Sequence, residues 1–469
     1  MTPAARLSAA MEVLAEIFNR HQPSTAALKE WGRTHRFAGS GDRAVIGNLV
    51  FDVLRRKGSL AWLMNSDEPR ALVLALYAKF WISSSPLKGG KLDGGSSADT
   101  KVWRTATDPH PDPPPSRGRE FNEAIEKLDQ LCSGEAHAPV KLNDDERKNL
   151  TRTFDKAPAH IRGFYPEWLD QRFKEIYDEA RTEEGAALAG RAPVDLRVNT
   201  SKATREKVLD QLQRFKAEPC AYSPLGIRIP YGAADARSPH VEAEGVYQRG
   251  HVELQDEGSQ LVSLLIDAKP GEQVLDLCAG AGGKTLALSV MMENKGQIIA
   301  TDHDKHRLKP IYERIKRADA HNVQVHAYDE IGEFKNRMDK VVLDVPCTGT
   351  GAWRRRPDNK WKLTEKHIAD RVREQDEVLA RGAEFVRADG ELIYITCSIL
   401  KEENEDRVLA FLKTPAGQHY QLADMTKRWK QVFSANAPPQ PKGFAAGLRL
   451  SPKSSNTDGF FIAVLQKCR

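Results

Sequence analysis

Residues 274–285 read Val-Leu-Asp-Leu-Cys-Ala-Gly-Ala-Gly-Gly-Lys-Thr. An apolar strand ends at Leu277, a loop of small residues follows, and Thr285, Leu286, Leu288 and Val290 open a helix. Small residues let the backbone approach a ligand, and the free amides of a helix N-terminus bind polar groups. With this strand at 273–277, further strand candidates fall at 297–301, 322–326, 340–345, 391–396 and 460–466, with helical patterning between them. Alternation of this kind predicts an α/β fold with a mostly parallel sheet over 253–469. The last strand follows a long loop region and is expected to add antiparallel.

Working outward, residues 3–20 repeat Leu7, Met11, Leu14, Ile17 and Phe18 at helical spacing, residues 42–64 do the same, and residues 70–82 are apolar almost all round. An all-α bundle is expected over 1–157. Within it, five Gly, six Pro and six Ser fill 17 of the 38 positions of 83–120. Such a segment buries too little to offset the entropy of ordering, so a disordered insertion is expected there. Residues 158–190 read as a helical linker. Over 191–252, short strands at 195–200 and 226–230 flank a helix near 205–215, which predicts a small α+β subdomain.

The chain has 469 residues, 40% of them hydrophobic and 29% charged. That is the composition of a soluble globular protein of several domains. Six cysteines without paired spacing or a C-x-x-C argue against a disulfide framework and a zinc site, and fit a reducing, cytoplasmic setting. His303 and His306 lie three apart without a further Cys/His cluster, so no metal is expected. No apolar run nears the roughly 20 residues that span a bilayer, and a monomer without membrane attachment is expected. The net charge is +5, and residues 353–373 alone hold eight Lys or Arg against three acids, with Trp353 and Trp361 interleaved. Basic groups among aromatics suit phosphate contact and base stacking, while composition alone is equally that of a solvated helix face.

Three readings of the glycine loop compete. A dinucleotide fingerprint needs a third Gly where Thr285 stands, and a phosphate-binding P-loop needs Gly where Cys278 stands, although 341–344 would pass for its magnesium-binding strand. The third reading is an S-adenosylmethionine site. Asp302 falls 22 residues beyond Gly280, at a strand end where an acid accepts from a ribose hydroxyl pair. Asp329, past the next strand region, is placed to meet an adenine edge or simply to cap its loop.

Two further strand ends carry thiols. Cys347 stands in Val-Val-Leu-Asp-Val-Pro-Cys-Thr-Gly (341–349) and Cys397 in Leu-Ile-Tyr-Ile-Thr-Cys-Ser (392–398). Ligands of a doubly wound sheet sit beyond its carboxyl ends, so both thiols can face one pocket. The bland alternative is that each is a small buried apolar residue. Methylating an amine or hydroxyl needs no cysteine. Carbon 5 of cytosine does, because it becomes nucleophilic only when a thiolate adds to carbon 6, and a second group must then help eliminate the enzyme.

On these segments, with Arg-Arg-Arg-Pro-Asp-Asn-Lys-Trp (354–361), Tyr-Ile-Thr-Cys-Ser-Ile-Leu-Lys-Glu-Glu-Asn (394–404) and Thr-Asp-Gly-Phe-Phe (457–461), the chain resembles the Sun/RsmB-type bacterial RNA (cytosine-5) methyltransferases over roughly 160–469. The resemblance implies a Rossmann-like S-adenosylmethionine-dependent methyltransferase sheet, preceded by an RRM-like subdomain and a NusB-like RNA-binding bundle. It implies Cys397 as nucleophile and Cys347 as the residue promoting product release. DNA enzymes use the Pro-Cys thiol for attack, so the sequence leaves the order open. It implies cofactor contacts from Cys278, Ala279, Gly280, Ala281, Gly282, Gly283, Lys284, Asp302, Asp329 and Asp344, with Lys284 and Asp344 also at the target cytosine. RNA contacts are expected from Arg354, Arg355, Arg356 and Lys360, and support of the Thr-Cys-Ser loop from Asn404. Ala281 departs from the family, which usually has Pro there. The implied substrate is a cytosine of small-subunit ribosomal RNA; transfer RNA, or a catalytically silent RNA-binding assembly factor, are the alternatives.

Overall fold

Pro3 stands in the first turn of the helix Pro3–Arg20, where its missing N–H leaves no bond unmade, and Thr2 caps that turn by accepting from the Ala5 N–H at 3.2 Å. Leu7, Ala10, Val13, Leu14 and Ile17 bury one stripe of it. They share a core with Leu49, Val50 and Val53 of the helix Ser40–Met64 and with Leu72, Val73, Leu74 and Leu76 of Pro69–Leu76. The computed structural model describes residues 1–81, 118–232, 235–237, 239–441 and 446–468. The expected insertion at 83–120 therefore lies outside the described residues, except that 118–120 open the helix Gly118–Leu131.

The chain divides into two compact units. The first comprises Met1–Arg191, Tyr231–Ser238 and Trp353–Lys362. Besides the apolar core it buries a charge cluster: Asp52 accepts from Arg191, from Arg55 at 3.2 Å and from the Trp81 indole at 3.0 Å. A buried carboxylate is tolerable because each oxygen is met by a donor.

The second unit comprises Ala192–Pro230, Pro239–Ala352 and Leu363–Arg469 and holds two sheets. The smaller is antiparallel, built from β1 (Val194–Val198), β2 (Glu218–Pro219), β3 (Gly226–Ile229) and β4 (Val252–Leu254) in the order β2-β3-β1-β4. Leu196, Val198, Ile227, Ile229 and Val252 pack with Val208 and Leu212.

The larger sheet is made of β5 (Gln273–Asp276), β6 (Gln297–Ala300), β7 (Val323–Val325), β8 (Met338–Asp344), β9 (Val386–Thr396), β10 (Tyr420–Leu422), β11 (Leu448–Leu450) and β12 (Phe460–Lys467). Its order is β10-β12-β9-β8-β5-β6-β7, with β11 pairing β12. Strands β5 to β9 run parallel, and β12 adds antiparallel to β9, as its position after a long loop region predicted. The central strands are apolar on both faces, as Val341, Val342 and Leu343 illustrate, because helices cover each side. The chain winds from β5 through β6 to β7, then returns to place β8 on the other side of β5. That reversal is the switch point at which such sheets open a cleft. The ends of β5, β6, β8 and β9 all lie on this edge. Among the described residues no helix is long and apolar enough to cross a membrane.

Candidate active site

The loop after β5 is shaped by two glycines in the left-handed region, Gly280 at φ 51° and Gly282 at φ 82°. A β-carbon on Gly282 would lie 2.5 Å from Ile311 Cγ1, so only glycine fits that turn. The Gly280 N–H donates to Asp302 Oδ2 at 3.0 Å, tying the loop to the end of β6. Asp302 is buried; its Oδ1 accepts from the Asp304 N–H at 2.9 Å, and Arg307 lies 3.2 Å from its Oδ2. The carbonyl of Ala281, the residue that stands where the family usually has Pro, accepts from Arg314 Nη1 at 2.7 Å. Arg314 is in turn held by Glu253 of β4 at 2.9 Å. Cys278 is buried, and burial pushes its thiol well up. Asp329 occupies an exposed turn beyond β7.

Lys284 lies in the first turn of the helix Gly283–Met291 and donates to Asp344 Oδ2, at the end of β8, at 2.7 Å. Beneath them, Asp276 of β5 is buried, accepts from Thr285 Oγ1 at 2.7 Å through Oδ2, and finds no partner for Oδ1 among the described residues. Burial first, then the charges of Asp344 and Asp302, push its carboxyl up to about 7. The small-residue loop, the acid at the end of β6 and the charged pair at the end of β8 together fit a nucleoside-bearing cofactor.

The thiols converge. Cys347 and Cys397 are both half-buried, and their Sγ atoms lie 3.4 Å apart. The hydrogen bond shared with Cys397, followed by burial, pushes the Cys347 thiol well up. Asn404 braces the second loop: its Oδ1 accepts from Thr396 Oγ1, and its Nδ2 donates to the Ser398 carbonyl at 2.9 Å. The motif reading did not foresee Glu403, which is fully buried and accepts from the Thr348 N–H at 2.8 Å, from the Thr348 and Ser398 hydroxyls, and from Gln375 Nε2 at 3.1 Å. Nor did it foresee Arg314 or Asp276. In each case the signal lies in the tertiary partner rather than in the local sequence. Among the described residues no group of three or more His, Cys, Asp or Glu could hold a metal.

The four basic residues expected at RNA part company. Arg355 and Arg356 are exposed, but Arg354 and Lys360 are buried within the first unit. The Lys360 ammonium donates to the carbonyls of Arg55 at 2.9 Å and Phe164 at 2.7 Å, and burial holds its pKa well below the usual lysine range. Trp353 stacks on Phe173, and Trp361 donates its indole N–H to the Leu54 carbonyl. The expectation of an RNA-facing Arg354 and Lys360 is therefore corrected: both are buried, and Lys360 is held by two carbonyls of its own unit.

Two family models match this chain. One, described as 16S rRNA methyltransferase RsmB/F, covers residues 263–466; the other, a ferredoxin-like domain of RsmF/B-like methyltransferases, covers residues 165–233. Among curated proteins, the ribosomal RNA small subunit methyltransferase B of Escherichia coli O127:H6 is 27% identical over 434 residues, and that of Citrobacter koseri 28% over 438; each alignment covers 91% of this chain and 91% of the relative. Among solved structures, PH0851 is 25% identical with TM-score 0.68, covering 100% of this chain and 99% of that one. A methyltransferase homologue from Pyrococcus horikoshii is 27% identical with TM-score 0.54, covering 66% and 97%. NSun6 from the same organism, solved with SFG, shares the fold at 22% identity and TM-score 0.57, covering 65% and 98%.

Proposed function

We propose that this chain, which matches the RsmB/F methyltransferase models and resembles ribosomal RNA methyltransferases over most of its length, is an RNA methyltransferase that methylates carbon 5 of a cytosine through a transient cysteine adduct. The observation that carries this reading is the pair of sulfurs 3.4 Å apart at the ends of adjacent strands. Amine or hydroxyl methylation has no use for two thiols, whereas carbon 5 needs one to add at carbon 6 and another group to help the enzyme leave.

S-adenosylmethionine supplies the methyl group. Gly280, Ala281, Gly282 and Gly283 offer a close-fitting backbone for it, with Cys278 and Ala279 leading in, Asp302 facing the ribose and Asp329 the adenine edge. Cys397 adds to carbon 6 of the ring, and Cys347 promotes the elimination that frees the product. The Lys284–Asp344 pair fixes the target cytosine beside the donor. The base must leave its stack to reach this depth. The helical region 1–157, the small sheet within 191–252 and the exposed Arg355 and Arg356 provide the RNA grip.

The substrate we favour is small-subunit ribosomal RNA, the substrate class in the names of the relatives above. Transfer of a tritiated methyl group to unmodified small-subunit ribosomal RNA, and bisulfite sequencing of ribosomal and transfer RNA from a deletion strain, test it together. The expected result is one or more cytosines of ribosomal RNA that lose protection in the deletion strain. Loss confined to transfer RNA would move the substrate, and no transfer to any RNA would leave an assembly factor.

A further inference from the structure

Glu403 sits where the two cysteine loops meet; three of its four contacts come from those loops and the fourth from Gln375 of the helix Glu365–Ala383. One oxygen accepts from the Thr348 N–H and Gln375 Nε2; the other accepts from the hydroxyls of Thr348 and Ser398. Thr348 directly follows Cys347, and Ser398 directly follows Cys397. The carboxylate therefore grips the residue next to each thiol. Its own backbone is pinned, because the Tyr394 hydroxyl donates to the Glu403 carbonyl at 2.6 Å. Gln375 adds a third tether, donating also to the Pro346 carbonyl at 2.9 Å, immediately before Cys347.

A group with no solvent exposure and four donors is a poor surface acid and a good clasp. We propose that Glu403 is the positioning residue that pins the Pro-Cys loop to the Thr-Cys-Ser loop and so holds the two sulfurs in contact. The proposal rests on the covalent reading for its catalytic consequence, but the clasp is a statement about geometry. Glu402, its chain neighbour, is half-buried rather than enclosed. The negative charge of Glu403 also adds to the influences that keep the proton on Cys347, after the Cys397 hydrogen bond and burial.

The test uses the full-length protein and phenylarsine oxide, a trivalent arsenical that bridges two close thiols with loss of one water. The wild type should take up one arsenical that survives a monothiol wash, and Cys347→Ser should lose it. Glu403→Ala frees both loops and should weaken capture at least tenfold, with methyl transfer down at least a hundredfold in kcat and S-adenosylmethionine affinity within twofold. Glu403→Gln keeps the length and part of the bonding, so it should fall between wild type and Ala in both readouts. If Glu403→Ala fails to fold, the Gln variant decides. Wild-type capture in the folded variants would overturn the clasp, whatever their activity. Should the wild type methylate no cytosine, the functional reading fails while arsenical capture still judges the geometry.

Discussion

The sulfurs of Cys347 and Cys397 stand 3.4 Å apart although 50 residues of chain separate them. They meet because β8 and β9 are parallel neighbours whose register brings Asp344 opposite Ile395, so the loops leaving both strands start side by side. The loops are then sewn together. The Gly351 N–H donates to the Cys397 carbonyl at 2.9 Å, and the Gly459 N–H donates to the Gly351 carbonyl at 2.9 Å. A β-carbon on Gly351 would come within 2.1 Å of the Gly459 carbonyl oxygen, so this crossing admits only glycine.

Two thiols in contact have separable roles in the proposed reaction. Cys397→Ala is expected to abolish methyl transfer and to form no RNA adduct. Cys347→Ala should retain attack and lose release, accumulating a covalent protein–RNA species that survives a denaturing gel. An adduct formed by the Cys397 variant instead would exchange the two assignments.

Lys284 is 7% exposed in its side chain and Asp344 34%, so the lysine is the enclosed member of the pair. Lys284→Met leaves Asp344 without its charged donor and should cost roughly 2–3 kcal/mol of transition-state binding, about a hundredfold in kcat/KM. Asp344→Asn should be as severe, because it strands the buried ammonium. Steady-state kinetics with both substrates varied checks this; a change confined to KM for RNA would place the pair outside the reacting centre.

Much of the large sheet was legible because parallel strands covered on both faces read as continuous apolar runs; 340–345 overlaps β8 as far as Asp344, and 391–396 falls within β9. The strands that escaped are β2, β4, β10 and β11, each two or three residues long and defined by a partner rather than by a pattern. The helix Ser24–Thr34, likewise unforeseen, has no side-chain cap to announce it. In the site, the thiols and the glycine loop were readable from local motifs. Glu403 was not: it stands in the quoted 394–404 motif, but its role emerges only when the fold brings Thr348 and Ser398 to it. Lys360 misled for the same reason. Its acceptors, the carbonyls of Arg55 and Phe164, lie 305 and 196 residues away.

The basic stretch accordingly splits into two testable halves. Lys360→Met removes the buried ammonium that ties the Arg55 and Phe164 carbonyls together and should destabilise the first unit by about 1–3 kcal/mol, read as a lower Tm. Exposed Arg356→Ala should leave Tm unchanged while weakening RNA binding and lowering the slope of log K against log salt by about 1. If Lys360→Met reduced the salt slope at unchanged Tm, its burial would not describe the protein in solution.

Arg314 joins the small sheet to the cofactor loop by bonding both Glu253 and the Ala281 carbonyl. Arg314→Ala should free that carbonyl and raise the S-adenosylmethionine Kd by about tenfold, near 1.4 kcal/mol, measured by calorimetry. Arg314→Lys should not restore it, because one ammonium cannot reproduce the divergent geometry of the guanidinium. An unchanged Kd in both variants would show that the loop holds its shape unaided.

Asp276 gives the site a pH signature. Its carboxyl is pushed from the ordinary range near 4 up to about 7, chiefly by burial. The folded state thus binds a proton more tightly than the unfolded chain across that window, so this group makes stability fall as pH rises from about 4 through about 7, with no further change above it. Asp276→Asn mimics the protonated acid and removes the dependence. Below about pH 3 the two proteins should melt together; at pH 5 the Asn variant should already be ahead by about 1.5 kcal/mol, and at pH 8 by about 4 kcal/mol. Thermal melts of cofactor-free protein across pH 5–8 measure the difference directly. A wild-type minus variant difference that stays flat over that range would mean Asp276 is already ionised in its buried place at pH 5.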